Sequence, residues 1–232
     1  MKLLIDGRQI TARPGQSLRQ IIDEMGLDSA PFSQRPFAAK LAGEVFNLNY
    51  IPVREKDIQE RSSIRRAMAA SGGIVELLRY TAPVGREVYE RTARFVLFLA
   101  LHRLWPEKQA KMGSTLGSAL FVTVSGDDFS WEKLRNEVAS LIAQDIPLNR
   151  FVVSTEEAVK MFTKMEKKDK ERLLSLRKEE TFGCYGYEDF FDYYYGEMAP
   201  STGYVQVWDI LPAQGGFFFI FPDDARSGRA HV

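Results

Sequence analysis

The sequence predicts an α+β protein of two domains, and three features support that prediction. An Asp-Gly hairpin signal opens the chain, a long amphipathic helix lies near its middle, and four aromatic, strand-forming runs follow residue 181. The 232 residues are ample for two modest domains, because domain sizes cluster at about 100–150 residues. Hydrophobic residues make up 45% of the chain, which is enough apolar surface to bury a core in each domain.

The first domain begins with a β-hairpin. Residues 3–5 and 8–11 are predicted as two short strands, and Asp6-Gly7 between them allows the positive φ that a tight turn needs. Ser17 is placed to cap a helix whose apolar residues recur every three or four positions and which ends at Gly26.

Three further strands, at residues 37–42, 44–48 and 74–80, complete the first domain. Strand, strand, helix, strand, strand, strand is the order of the β-grasp fold. We therefore assign residues 1–82 to an N-terminal β-grasp, ubiquitin-like domain. Residues 54–73 fit this order least, and their Arg, Lys, Glu and Ser content predicts a loop or insertion before the last strand.

The second domain, residues 83–232, mixes helices and strands. Its most regular helix spans residues 84–104, with a broad apolar face and a proline two residues beyond its end. Shorter elements are predicted as strands at 119–124 and 151–153 and as a helix at 131–143. Strands of one mainly antiparallel sheet are predicted at 182–187, 190–195, 204–210 and 217–221.

The composition of the whole chain excludes several classes of protein. Lys and Arg total 31, as do Asp and Glu, so no net field attracts nucleic acid or a membrane, and any RNA contact must come from a local patch. The single cysteine, Cys184, can form neither an internal disulfide nor a thiolate metal cage, which favours a cytoplasmic protein. No apolar run approaches about 18 residues, so we expect no membrane contact.

Several stretches resemble known families. Residues 15–18, Gly-x-Ser-Leu, resemble the helix entry of the TGS family of β-grasp domains. Residues 89–97, with Leu-Trp-Pro at 104–106, resemble the helix after the TGS domain of threonyl-tRNA synthetases, which begins His-Ser-x-x-His-Leu-Leu. Residues 192–200 lie where that family has Asp-x-Cys-x-Gly-x-His-x-Pro. The resemblance implies that residues 83–232 adopt the α/β fold of the second additional, or editing, domain of threonyl- and alanyl-tRNA synthetases.

The resemblance also implies where an editing site would lie. In that family a His, His, Cys, His quartet acts on mischarged tRNA, and in the alanyl enzymes the quartet holds zinc. The matching positions here are Arg91, Phe95, Tyr194 and Met198. Arginine stays protonated, phenylalanine has no lone pair, tyrosine is a poor acceptor near neutral pH, and methionine is a weak zinc ligand. We therefore expect a degenerate site, with no catalytic residue, no metal and no cofactor.

Other catalytic side chains do not form a replacement site. Histidine occurs at His102, where a surface or packed role is the simpler interpretation, and at His231. Cys184 lies in a strand-like aromatic run with no histidine predicted beside it, and no Gly-x-Ser-x-Gly motif occurs.

The chain also resembles the N-terminal half of a bacterial uridine kinase-like family, in which TGS and synthetase-like domains precede a P-loop nucleoside kinase domain. The matching segments are residues 192–195, 198–204 and 211–222. No Gly-x-x-x-x-Gly-Lys-Ser/Thr loop occurs, and residues 113–118 lack the lysine and are predicted as a turn leading into a strand. The chain is then a fragment of such a kinase or a stand-alone relative, with a P-loop kinase domain as partner in cis or in trans.

Ligand contacts are predicted in two places. A cleft at the degenerate editing site would be lined by Arg91, Arg94, Phe95, Tyr194 and Met198. The alternative is that larger side chains merely fill this cleft. Neighbouring aromatic residues at 190–195 offer stacking faces for bases, although strand alternation places about half of them in a core. Arg61, Arg65 and Arg66 in the insertion are candidates for RNA contact, since mobile basic segments commonly order on RNA.

These inferences lead to a non-catalytic, regulatory module that binds RNA, tRNA included, or a nucleotide, and that is related to the N-terminal region of uridine kinase-like proteins. The alternative is a fragment of an ATP-dependent nucleoside kinase whose P-loop domain is absent from this chain. Residual aminoacyl-tRNA editing is a third function, which would have to proceed without the family's metal or general base.

Overall fold

The computed structural model describes residues 1–53, 67, 70, 72–126, 129–164 and 181–223. They form two compact units, of which the first combines Met1–Pro147 with the described part of Gly196–Val232 and the second is Leu148–Tyr195. Helices and largely antiparallel sheets occur in both units, which confirms the α+β class. The domain boundary between residues 82 and 83 stays a prediction. No helix among the described residues is long and apolar enough to cross a bilayer.

A five-stranded sheet with one helix forms the N-terminal part of the first unit. Its elements are β1 (Lys2–Ile5), β2 (Arg8–Thr11), α1 (Leu18–Glu24), β3 (Pro36–Leu41), β4 (Glu44–Phe46) and β5 (Ile74–Arg79). The strand order β2-β1-β5-β3-β4, with β1 and β5 parallel at the centre, is that of a β-grasp fold. The prediction of this fold is therefore confirmed. Asp6 and Gly7 both have positive φ in the β1–β2 turn, and Ser17 caps α1 in a reciprocal capping box with Gln20.

Two helices and a second sheet complete the first unit. These elements are α2 (Pro83–Leu104), β6 (Ala110–Leu116), β7 (Ala119–Val124), α3 (Trp131–Ala143), β11 (Asp209–Ala213) and β12 (Gly216–Ile220). The second sheet has the order β11-β12-β7-β6, so strands about ninety residues apart in sequence are neighbours. Helix α2 packs against α3 and against strands β3 and β5, as its broad apolar face requires.

The second unit is smaller. It contains β8 (Phe151–Ser154), α4 (Thr155–Lys164), β9 (Thr181–Tyr187) and β10 (Phe190–Tyr193), with the sheet order β10-β9-β8. Its described core is centred on Ala158, Phe162, Phe182 and Cys184. Cys184 is therefore a buried packing residue.

Three predictions about the later strands were wrong. Residues 110–116, part of which was predicted as a turn, form strand β6, and the turn begins at Gly117. Pairing with β7 stabilises this strand. Its side chains are mostly exposed and show no apolar alternation, so no strand pattern was readable from the sequence. Residues 204–210 are mostly not a strand, since Tyr204 ends a short 3-10 turn (Thr202–Tyr204) that buries its ring. The four C-terminal runs also divide between two sheets, because β12 pairs with β7 while β9 pairs with β8.

Candidate functional site

Helix α2 carries the first two positions that match the editing ligands. Phe95 is fully buried, with 0% of its surface exposed, so its ring belongs to the core. The side chain of Arg91, one helical turn earlier, is 16% exposed. Arg94 points elsewhere: it forms an ion pair of 2.8 Å with Glu90, and its guanidinium lies 5.0 Å from the centre of the Phe221 ring. The helix thus uses all three residues for packing or pairing.

The segment that follows the second unit carries Met198, the third of the matched positions that lie in the first unit. We call residues 196–204 the strap. Arg91 reaches it first, and its Nη1 donates a hydrogen bond to the carbonyl oxygen of Glu197. Gly196 has a φ of +96°, and a Cβ there would lie 3.1 Å from the Arg91 guanidinium carbon. Only glycine combines this backbone with so close an approach, so Gly196 and Arg91 fit as a pair.

Met198, which matches the last histidine of the quartet, is fully buried in the strap. Beside it, the backbone N–H of Ala199 donates to Thr92 Oγ1 at 2.9 Å. The same hydroxyl donates to the carbonyl oxygen of Val88 at 2.7 Å. Thr92 is itself 0% exposed, so one buried hydroxyl joins α2 to the strap. The sequence carried no signal for this role, since a threonine inside a helix is commonplace.

The β-grasp part holds the strap from the other side, through the loop after β4. Asn47 Nδ2 donates to the carbonyl oxygens of Met198 and Ala199, at 3.0 and 3.2 Å. Asn49 Nδ2 donates to the carbonyl oxygen of Pro200 at 2.9 Å. Together with the Arg91 bond, four successive strap carbonyls accept hydrogen bonds from side chains. Such matching of buried backbone groups is what a permanently packed segment needs.

The C-terminal end of α3 binds the rest of the strap. Thr202 Oγ1 accepts from Ile146 N at 2.9 Å and donates to the carbonyl oxygen of Leu141 at 2.6 Å. Ser201 donates to the carboxylate of Asp145, which also pairs with Arg19 of helix α1 at 3.0 Å. Burial acts to raise the pKa of Asp145, but the Ser201 and Arg19 contacts outweigh it, and the pKa lies below its ordinary value.

A buried charged cluster follows at the end of the strap. The Tyr204 hydroxyl donates to Asp28, and burial together with this bond raises the tyrosine's pKa. The guanidinium of Arg35, only 7% exposed as a residue, lies 3.7 Å from the centre of the Tyr204 ring and pairs with Asp28 at 3.3 Å. Sequence patterns gave no sign that these three residues meet, because 176 positions separate Asp28 from Tyr204.

Tyr194, the third matched position, belongs to the second unit and follows strand β10. Its neighbour Tyr195, one of the aromatic residues predicted to offer stacking faces, is 84% exposed. Phe190 is buried, and Phe191 and Tyr193 pack against the core of the second unit. Strand alternation predicted about half of this run in a core; of its five aromatic residues Phe190 alone is buried, and the stacking role of the others stays a prediction. Tyr195 has the most exposed of these rings.

The other predicted site residues fall in different places. Arg61, Arg65 and Arg66, the candidates for RNA contact, lie outside the described residues, as do residues 54–66 of the predicted insertion and His231. His102 is partly buried in the last turn of α2. Within the described ranges, no three His, Cys, Asp or Glu side chains are grouped so that they could hold a metal ion.

Threonine–tRNA ligases of several organisms are similar to this chain, and no family model matches it. The chain is 27% identical over 221 residues to a threonine–tRNA ligase of Clostridium kluyveri, covering 93% of this chain and 31% of that protein. It is 25% identical over 218 residues to the ligase of Listeria welshimeri, covering 92% and 31%. It is 26% identical over 220 residues to the ligase of Syntrophomonas wolfei, covering 93% and 32%.

The chain thus spans about a third of the length of the curated relatives it matches. The similarity extends over nearly all of the chain at low identity. This supports a distant resemblance to the N-terminal region of threonyl-tRNA synthetases.

Proposed function

We propose that the chain is a non-catalytic, tRNA-synthetase-related module that binds RNA. One observation carries the proposal: the positions matched to the editing ligands in the first unit are occupied by packing residues. Phe95 and Met198 are fully buried, and Arg91 is hydrogen-bonded to the backbone of the strap. These side chains stabilise the fold at positions where a hydrolase would present ligands to a water molecule.

The chemistry of these side chains supports the absence of hydrolysis. Cleavage of an aminoacyl ester needs a general base or a metal-activated water. A protonated guanidinium, a phenyl ring and a buried thioether accept no proton near neutral pH, and a tyrosine phenol ionises only near pH ~10. We expect mischarged tRNA to lose its amino acid no faster in the presence of the purified chain than by spontaneous hydrolysis. A rate above that of buffer alone, proportional to the concentration of the chain, would restore the editing hypothesis.

RNA is the proposed ligand because of what the names of the relatives say. The relatives are, by name, ligases of threonine and tRNA. The chain as a whole has a formal net charge of zero, so contact with a polyanion must depend on a local basic patch. Arg61, Arg65 and Arg66 remain the proposed patch.

The first test is direct binding of the chain to bulk tRNA, and in parallel to uridine and to ATP, at low and near-physiological salt. The proposal predicts tRNA binding that weakens steeply as salt rises, since phosphate contacts release counterions. Saturable binding of uridine or ATP without tRNA binding would favour the nucleotide alternative. Binding of none of the three would contradict the proposal and leave a role in contacts with protein partners.

A second test addresses the proposed patch. Replacing Arg61, Arg65 and Arg66 by Gln should make the negative slope of log K against log salt shallower by about 1 for each lost phosphate contact. The matched control replaces three exposed cations of the β-grasp part, Lys2, Arg8 and Lys40, by Gln. Equal loss from both triple variants would show attraction by charge in general and would contradict a specific patch.

The finer proposal concerns the partner domain. The resemblance to the uridine kinase-like family implies that the module serves a P-loop nucleoside kinase domain, in cis or in trans, as a regulatory part. The relatives reported above are ligases, so this step depends on the sequence resemblance alone. Reading the gene beyond codon 232 tests the cis arrangement, and co-purification with a separately encoded P-loop kinase tests the trans arrangement.

A further inference from the structure

Hydrogen bonds from two parts of the first unit hold the strap: the β-grasp part (α1 and β1–β5) on one side, and the helical part (α2, α3 and the residues that follow α3) on the other. We propose that the strap locks these two parts together, so that the β-grasp sheet and the α2–α3 layer open and fold as one cooperative body. The alternative is a pair of linked domains that move and unfold independently, as the sequence boundary at residue 82 suggests. The proposal concerns the fold itself and does not depend on RNA binding.

The first argument comes from the backbone of the strap. The carbonyl oxygens of residues 198–200 take their donors from Asn47 and Asn49 of the β-grasp part, while the amide of Ala199 takes its acceptor from Thr92 of α2. If either part moved away, buried polar groups would lose their partners. Buried unpaired groups are strongly unfavourable, so the hydrogen bonds oppose separate opening of either part.

The second argument is a shared aromatic core. Phe37 of strand β3 and Tyr80, just after β5, each meet the Tyr89 ring of α2 edge to face, at centroid distances of 5.2 Å. Phe37 also contacts the ring of Tyr204 in the strap, at 6.1 Å. Phe37, Tyr80, Tyr89 and Tyr204 are all fully buried, so the β-grasp core and the core of the helical layer are one continuous set of rings.

The third argument is the set of charges at the end of the strap. Asp28 and Arg35 of the β-grasp part enclose Tyr204, and Arg19 of the same part pairs with Asp145 beyond α3. Arg35 is almost fully buried, and it would lose the face of the Tyr204 ring if the parts separated. The ion pair of Arg35 with Asp28 would survive, because both residues belong to the β-grasp part, so the loss is that of the cation–π contact, which also favours joint opening.

The decisive experiment is native-state hydrogen exchange, followed amide by amide by NMR on the full chain. The variant Leu3→Ala removes a buried side chain of strand β1 that is not part of the contacts described above. If the first unit is one cooperative body, the slowest amides of β1, of the strap and of α3 should all exchange faster by the same factor, within about threefold. Faster exchange in the β-grasp strands alone, with the strap amides unchanged, would overturn the proposal.

Leu3→Ala could leave too little folded protein to measure. Ser17→Ala then serves as the milder variant, because it removes the side-chain cap of α1 and leaves the core intact. The same comparison of exchange factors applies, and the same pattern would overturn the proposal.

A second variant tests the lock itself. The double substitution Asn47→Ala and Asn49→Ala should speed exchange at the amides of Ala199 and Thr202 by roughly tenfold or more, since both lie in the segment it releases. The matched control is Asn136→Ala on the exposed face of α3, which should leave these amides unchanged. Unchanged exchange at Ala199 and Thr202 in the double variant would show that the strap does not depend on the β-grasp loop.

Discussion

The stretch from Asp192 to Pro200 that resembles the synthetase motif divides into halves with different environments. The first half belongs to the second unit and ends at Tyr195, whose side chain is 84% exposed. The second half, residues 196–200, lies in the first unit, where Met198 is fully buried and successive carbonyls are hydrogen-bonded. Matching residues in a motif therefore need not share a role. Tyr195 at the end of the first half is exposed to solvent, whereas residues 198–200 of the second half are buried and hold the fold together.

The largest effect is expected at the fully buried position of helix α2 that matches an editing ligand. Phe95→Ala should lower the free energy of unfolding by about 3–5 kcal/mol, because it removes a fully buried aromatic ring. Urea denaturation followed by circular dichroism measures this loss. The matched control is Phe98→Ala on the same helix, whose ring is only partly buried. Equal losses from the two variants would contradict a core role specific to Phe95.

A smaller loss is expected from the buried hydroxyl that joins α2 to the strap. Thr92→Val keeps the shape of the side chain but leaves the amide of Ala199 without its acceptor, which should cost about 1–3 kcal/mol. Thr163→Val in the second unit removes a similar hydroxyl bond, to the carbonyl of Val159, from an exposed residue. That control should change the free energy of unfolding by less than about 0.5 kcal/mol. If the two substitutions cost the same, the hydroxyl of Thr92 does not join α2 to the strap.

The pH dependence near the strap should be smaller still. The pKa of Asp145 is lowered in the folded protein, so its contribution to stability is present above the unfolded value of about 4 and is lost as the pH falls through the folded pKa. The side chain is 47% exposed, and solvent screening should keep the effect below about 1 kcal/mol. The free energy of unfolding, measured between pH 6 and pH 2, should therefore depend less on pH in Asp145→Asn than in the original chain. An identical pH dependence in both proteins would exclude this carboxylate as the cause.

The smallest effect on stability is expected at Tyr195, the exposed residue that ends the first half of the motif. Tyr195→Ala should change the free energy of unfolding by no more than about 0.5 kcal/mol, because its ring is mostly in solvent. The same variant is a clean probe of function, since any loss of tRNA binding would come from a lost contact and not from unfolding. A large loss of stability would show that the two halves of the motif are not as different as their exposure indicates.

The structure also changes how the predicted cleft is understood. Sequence comparison put Arg91, Tyr194 and Met198 at one site because they match ligands of one site in the synthetase family. The fold uses Arg91 and Met198 as parts of the packed strap contact, and it assigns Tyr194 to the second unit. Both predicted alternatives, a ligand cleft and a site filled by larger side chains, stay predictions.

The sequence by itself determined the elements whose signals are local. The Asp6-Gly7 turn, the Ser17 cap and the extent of helix α2 follow from backbone preferences and apolar spacing within a few residues. The absence of His and Cys at the positions matched to the synthetase motif was equally readable, since residue identity alone shows it.

Only the tertiary structure decided which distant segments meet. Three contacts join residues roughly a hundred or more positions apart. They are the pairing of β7 with β12, the hydrogen bonds from Asn47 to the strap, and the hydrogen bond from Tyr204 to Asp28. No local preference encodes such contacts, because a strand edge or an amide group can satisfy many partners equally well. The choice is made when the whole core is packed and each buried polar group must find a partner.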